Sequence, residues 1–320
     1  MPQQDAPPRK RIGVFFDDPG YGDYPFNHDE YVQAYHEVAH AIDDRGACFF
    51  IVRDASTFLG GNRFRGYWKF DGSTFVRHDD NIDLELVYDK SYKNVFTGDE
   101  RTWFLNSREL DHICVDKRET ARMFPDYSPK TSVVHSRGEL ETAMASWTSA
   151  MAVAKPIDGA EAKGVVIGPP VHILAVEHVF PLLLQEYVDA SGGIPGIIEG
   201  VGDLRTIMID GEVALTYARR AKTGSLISNV SKGGVEIEVL PDRRPSDVIA
   251  IAKDVDSRFK PLSKHRVFCV DCARDASGRW YIIELNSKPG LSVRNHGITY
   301  PRYQDLLVDA LVSAASPTHP

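Results

Sequence analysis

Hydrophobic positions along the chain fall into two rhythms. Arg11–Phe16 and Ala47–Val52 are short, nearly continuous apolar runs. Between them, from Asp29 to Arg45, Tyr31, Tyr35, Val38 and Ile42 recur at helical spacing. Strand, helix, strand is the opening of a parallel α/β layer, and Asn27 with Glu30 three residues on is its helix-start signal. Asp83–Tyr88 and His112–Val115 read as further strands. Asp54–Asp80 is rich in Gly and aromatic residues and has no period to assign. Because open α/β sheets bind ligands at the carboxyl ends of their strands, Asp17, Asp18, Asp89 and Lys90 form a candidate rim, or else ordinary solvated turns.

Beyond residue 115 the pattern changes. Lys117–Phe124 reads as a helix behind Asp116 and ahead of Pro125. Ser136 and Glu139 make a capping box for a helix to about Ser146. Ala150–Pro156 and Val165–Ile167 are apolar runs joined by the small-residue loop Ile157–Gly164, so they predict a hairpin. Leu182–Val188 is a buried strand turning polar at its end. Asp203–Ile209 and Glu212–Ala218 flank Asp210-Gly211, a strong two-residue turn signal. Pro245–Phe259 and Tyr303–Ala315 are amphipathic helices.

Arg266–Gly290 carries the most chemistry. Two apolar runs flank Ala276-Ser277-Gly278, and folding them together sets Asp271 opposite Glu284. Opposed residues of an antiparallel pair share a face, and Asn286, two residues on, shares it too. Two carboxylates and an amide oxygen among apolar neighbours would repel and raise each other's pKa, and a hard cation such as Mg²⁺ relieves that. The alternative is a hairpin with one solvated polar face. The 157–164 loop, with Lys155 and Lys163 beside it, can fold over phosphates through its backbone N–H groups, or is a plain exposed turn. Likewise Arg219-Arg220 and the loop that follows, with Lys222, Asn229 and Lys232, make an anion site or a basic surface loop.

Composition narrows the classes. A chain of 320 residues exceeds what one core usually serves, so two or three domains are expected. A net charge of -8 argues against nucleic acid as partner. There is no apolar run of membrane-spanning length and no signal peptide, and Met1–Lys10 reads as a disordered tail. Cys48, Cys114, Cys269 and Cys272 lie mostly in apolar runs, as reduced core residues of a cytoplasmic protein do.

Three short motifs lead elsewhere. His36-Glu37-Val38-Ala39-His40 matches the zinc-peptidase pattern, but both histidines lie off the helix's apolar stripe, and Asp43 and Gly46 replace the extended signature's Gly and His. A solvated helix face is the simpler reading. Gly200-Val-Gly202 does not continue as a dinucleotide fingerprint. Cys269 and Cys272, three apart on a strand, face opposite sides.

Taken in order, these segments resemble the ATP-grasp ligase superfamily, and within it the branch of ribosomal-protein glutamate ligases and glutathione synthetases. The similarity covers roughly residues 112 to 295. It implies that Lys117 and Lys155 contact nucleotide phosphates, with Lys163 and Gly164 in the flexible loop over them. Gln185, Glu186, Tyr187 and Val188 match the adenine hinge. Asp203-Leu204-Arg205 matches a D-x-R, and Arg219 a phosphate-contacting arginine. Ser228-Asn229 resembles the loop near the acceptor site. Asp271, Glu284 and Asn286 match ligands for one or two Mg²⁺ or Mn²⁺ ions, within Asn286-Ser-Lys-Pro-Gly290.

The implied fold is α/β, with α+β character in the ATP-binding part. A disordered tail (1–10) precedes an open parallel α/β domain (11–114), and two subdomains (115–188 and 189–320) clasp the nucleotide. The implied reaction joins a small-molecule carboxylate to an amine through an acylphosphate, using ATP. Arg219, Arg205 and Asn229 are its catalytic candidates, and Arg205 or Arg294 would hold the acyl carboxylate. No nucleic acid or membrane partner is implied, and relatives commonly form dimers or tetramers, so a homo-oligomer is compatible. A phosphotransferase on a small molecule would use the same phosphate and metal residues. A zinc peptidase on His36 and His40 would use neither.

Overall fold

The structure is a computed structural model and describes residues 9–17, 23–91, 96, 103–159, 162–228, 233–291 and 297–315. The chain begins with β1 (Lys10–Phe16), α1 (Asp29–Asp44) and β2 (Ala47–Arg53), the strand–helix–strand that the apolar rhythm predicts. There follow β3 (Phe58–Gly60), β4 (Arg63–Phe70), β5 (Phe75–Asp83), β6 (Leu86–Asp89) and β7 (Phe104–Leu105). Together the strands form one sheet of order β3-β4-β2-β1-β6-β7, with β5 on β4. β1 runs parallel to β2 and β6, and β6 to β7. β4 runs antiparallel to β2, β3 and β5. The sheet is therefore mixed rather than purely parallel. The stretch with no readable period is an antiparallel meander whose aromatic residues pack on one another, with Phe70 and Phe75 5.4 Å apart between ring centres.

α1 buries Ala34, Tyr35, Val38, Ala39 and Ile42. Its N-cap is His28, and no side chain caps it, so the Asn27/Glu30 signal is not used. His36 and His40 do not face open water together. His36 packs against Phe70 and Phe75, His40 edge-on against Phe70. Among the described residues no three His, Cys, Asp or Glu side chains gather as a metal site.

The next segment departs once from expectation. His112–Val115 is not a strand but the end of α2 (Arg108–Val115), whose buried Leu110, Ile113 and Cys114 have helical spacing; so short an apolar run cannot distinguish the two by itself. α3 (Lys117–Met123) follows, its N-cap Asp116 accepting from the Arg118 N–H. β8 (Thr131–Val134) leads to α4 (Arg137–Ala145), where Ser136 Oγ accepts from the Glu139 N–H and Glu139 reaches back to the His135 N–H. β9 (Ala152–Pro156), β10 (Val166–Gly168), α5 (Pro170–Ala175) and β11 (Leu182–Glu186) complete an antiparallel sheet of order β10-β9-β11-β8.

A third sheet of order β14-β13-β12-β15-β16 holds the remaining strands. These are β12 (Gly202–Ile209), β13 (Glu212–Arg220), β14 (Val235–Glu238), β15 (Val267–Arg274) and β16 (Trp280–Asn286). α6 (Ser246–Phe259) separates β14 from β15. Asp210 and Gly211 both have positive φ, as the two-residue turn between β12 and β13 requires. The final helix, α7 (Tyr300–Ala314), returns to the first sheet, where Lys10 Nζ donates to the Val312 carbonyl.

By contact density the chain forms two compact units. One comprises residues 1–108, 260–267 and 288–320, the other 109–259 and 268–287. Among the described residues no helix is long and apolar enough to cross a membrane. The first eight residues of the expected tail lie outside the described residues.

Candidate active site

The second unit contains its own pocket, with about 1080 Å³ of empty space opening to solvent. β9, β10 and β11 line one wall and β12, β13, β15 and β16 the other, with Lys117 of α3 at an end. Val153, Ile167, Val188 and Ile283 are among the apolar residues of the walls, and Lys117, Lys155, Lys163 and Arg219 supply the cations. A flat base can lie against the first group and an anionic tail against the second.

Lys155 is the most constrained of these. The β9–β11 pairing sets it opposite Leu183, and it is buried. Nζ donates to the Ile283 carbonyl at 3.3 Å, a long contact. Burial, and then the neighbouring Lys117, pull its ammonium down to about 8, while Glu284 pulls the other way. Lys117 is better served: Nζ lies 3.2 Å from Glu284 Oε1 and donates to the Gly159 carbonyl at 2.7 Å. It thereby ties the loop after β9 to β16. Gly164, at φ +74°, closes that loop where an added Cβ would lie 2.9 Å from Pro156 Cγ.

Gln185, Glu186, Tyr187 and Val188 all line the pocket. Gln185 donates from Nε2 to Thr131 Oγ1 at 2.7 Å. Glu186 accepts from Ser149 at 3.3 Å. Burial raises the Tyr187 phenol above its usual pKa. Arg219 and Arg220, adjacent in sequence, part company because neighbours on a strand face opposite ways. Arg219 is buried at the pocket; Arg220 and Lys222 are exposed, so the two arginines do not form a joint anion site.

From the pocket wall inward runs a ladder of alternating charge, with Asp203 and Arg219 in the lining. Arg219 donates to both oxygens of Asp203, at 2.7 and 2.8 Å, and to Asp271 Oδ2 at 2.6 Å. Arg205 donates to Asp271 Oδ1 at 2.7 Å and Oδ2 at 2.6 Å. Ser228, in the pocket wall, adds a hydrogen bond to Asp203 Oδ2 at 2.6 Å. Burial pushes the Asp271 carboxyl up, but the two guanidiniums override it and hold it below the usual carboxylate range. The conflict expected between Asp271 and Glu284 is thus relieved by arginines. Arg205 is held by Asp271 through Nε and Nη2 and is not among the residues lining this pocket.

The predicted register is present: Asp271 pairs with Glu284 and Cys269 with Asn286. A carboxylate has about four acceptor positions; Asp271 uses three of them on Arg205 and Arg219. One remains; it, Glu284 and the Asn286 amide are oxygen donors of the kind a hard cation takes, although Asp271 is 1% exposed and, of the three residues, only Glu284 lines the pocket. Cys269 is buried, its thiol pushed up to about 12, with no thiolate character. Asn229, Lys232 and Arg294 lie outside the described residues, as does Asp18. The sequence reading missed Asp203 as the partner of Arg219, although the β12–β13 register sets them opposite each other. It also missed the apolar wall made by Leu226 and Ile227.

Two sheets built on antiparallel hairpins that enclose such a pocket define an ATP-grasp fold. The chain belongs to the RimK-like ATP-grasp domain family, which matches residues 128–300. A probable alpha-L-glutamate ligase of Thioalkalivibrio sulfidiphilus is 31% identical over 173 residues, 51% of each chain. Another from Ectopseudomonas mendocina is 27% identical over 171 residues, again 51% of each. The chain therefore spans about half the length of the curated relatives it matches. Among solved structures, D-alanyl-alanine synthetase A from Vibrio cholerae is similar with a TM-score of 0.63 at 12% identity, over 96% of this chain and 98% of that one. A RimK domain ATP-grasp protein from Sphaerobacter thermophilus gives 0.57 at 13%, over 94% and 99%.

Proposed function

We propose that the chain is an ATP-dependent carboxylate–amine ligase that works through an acylphosphate and releases ADP and phosphate. The observation that carries this reading is Lys155. A buried lysine with one long hydrogen bond, beside a second lysine that holds the nearby Glu284, is under-compensated in charge, and a nucleotide's phosphates would supply the balance.

In this reading the hinge holds adenine, and Lys155 and Lys117 orient the phosphates. Asp271, Glu284 and Asn286 would hold Mg²⁺, which supplies charge neutralisation at the transferring phosphoryl group. The chain's own work is positioning and exclusion of water, since no covalent nucleophile is needed. Lys117, bonded to the Gly159 carbonyl, couples the loop over the pocket to the phosphate end. The relatives' names make glutamate the first amine to try, and the solved structures' names make D-alanine the second.

ADP release from MgATP across a panel of amino acids and short peptides, singly and in pairs, tests the proposal, with Glu284→Gln as control. Turnover that requires a carboxylate and an amine together supports it. Turnover with one acceptor, yielding a stable phosphate ester, indicates a phosphotransferase instead. Absence of nucleotide binding overturns it.

A further inference from the structure

We propose that Thr131, which does not line the pocket, sets the base selectivity of the nucleotide site by fixing which way the Gln185 amide points. The inference rests on the nucleotide reading above and names what that reading leaves open, how an amide that can flip is made to present one face.

The geometry is a chain of two hydrogen bonds. Thr131 and Gln185 are Cα partners across β8 and β11. Thr131 Oγ1 lies 2.6 Å from the Pro129 carbonyl oxygen and 2.7 Å from Gln185 Nε2. A carbonyl oxygen only accepts, and two oxygens approach to 2.6 Å only with a proton between them. The single hydroxyl proton of Thr131 is therefore spent on Pro129. What Thr131 has left for Gln185 is a lone pair, and only the NH₂ end of an amide can donate to it. Gln185 is 7% exposed and lines the pocket, so with Nε2 held behind, Oε1 is the end presented to a ligand.

A pocket that presents an acceptor selects a donor. Adenine carries an amino group at its six position; guanine and hypoxanthine carry a carbonyl there, which would meet Oε1 acceptor to acceptor. Released from Thr131, the amide could turn and donate to that carbonyl. Thr131 is thus a positioning residue that acts through Gln185.

The test measures kcat/KM and Kd for ATP and ITP in the full chain, with wild type, Thr131→Val and Thr131→Ser. ITP differs from ATP at the six position of the base without adding guanine's second amino group. Valine keeps the β-branched shape a strand favours and removes only the hydroxyl; serine restores it. Wild type is expected to prefer ATP by roughly tenfold to a hundredfold, the range of one hydrogen bond gained against one left unmade. Thr131→Val should reduce the ATP-to-ITP ratio by about tenfold, chiefly by improving ITP. Thr131→Ser should retain the wild-type ratio, a pattern that loss of folding would not produce because it lowers both nucleotides together. An unchanged ratio in Thr131→Val, or equal losses for both nucleotides, overturns the role of Thr131 while leaving the nucleotide reading intact. Wild type that binds neither nucleotide overturns that reading itself.

Discussion

Asp271 and Glu284 are Cα partners across β15 and β16, yet each is held by different cations. Asp271, 1% exposed, lies between Arg205 and Arg219; Glu284, at the pocket, is met by Lys117. The two carboxylates should therefore differ sharply in what their loss does to the fold. Asp271→Asn strands the Arg205 guanidinium and takes one of Arg219's two carboxylate partners, and should cost about 3–5 kcal/mol. Glu284→Gln weakens a partly exposed pair and should cost under about 1 kcal/mol. Both should abolish turnover. Chemical denaturation separates them, and an Asp271→Asn midpoint equal to wild type would show that the ladder does not stabilise the sheet.

Lys155 gives the pocket a pH dependence of definite sign. Its ammonium, lowered to about 8, is charged below that pH and loses its proton above it. Phosphate binding favours the charged form and raises its pKa, so above pH 8 binding must take up a proton. ATP affinity should be flat below about pH 8 and weaken toward tenfold per pH unit above it. The same linkage makes the ligand-free protein gain stability as pH rises from about 8 toward 10.5, where the unfolded chain still binds the proton. Calorimetric titration from about pH 7 to about pH 9.5 checks the first statement. A flat profile would remove Lys155 from the phosphate site.

Gly202 begins β12 opposite Arg220, where an added Cβ would lie 2.6 Å from the Arg219 carbonyl oxygen and 2.3 Å from Ile198 Cδ1. The side chain can move; the carbonyl belongs to the strand that carries Arg219. Gly202→Ala should cost roughly 1–3 kcal/mol and weaken nucleotide binding by displacing Arg219. Trimming Ile198 in the same chain should recover little, since the backbone clash remains. Full recovery would mean that the Ile198 contact alone was responsible.

His36 predicts an acid sensitivity of the first unit. Burial, and then His40, lower its pKa, while Asp71 pushes it up. Nε2 is buried without a hydrogen-bond partner among the described residues, beside Phe70 and Phe75. An unfolded histidine takes its proton near 6.5, before the folded one does. Stability should thus fall as pH drops below about 6.5 and level off below the folded pKa. His36→Phe should flatten that slope in thermal melts between about pH 5 and about pH 7; an unchanged slope would point to other groups.

The β15–β16 hairpin was legible because a turn signal and strict alternation fix register, and register alone puts Asp271 opposite Glu284. Lys155 was legible as a polar residue closing an apolar strand. The ladder was half legible: Arg219 was found, but Asp203 is its partner only once β12 and β13 are paired. Arg205 reads as available until Asp271 is seen to occupy it. The meander of β3 to β5 was hidden because aromatic residues such as Phe64, Trp68 and Phe70 blur its period of two. α2 was misread from His112–Val115 because the helical repeat begins earlier, at Leu110. Thr131 carries no sequence signal, since its role depends on where one proton goes.

The chain passes between its two units at four junctions, after residues 108, 259, 267 and 287. The strands of the first sheet all precede residue 106, but the unit they belong to also takes in α7, about two hundred residues further on. No contiguous fragment contains the first unit whole, so clipping α7 from the full chain should unsettle Lys10 and β1, almost three hundred residues away, before it disturbs the nucleotide pocket.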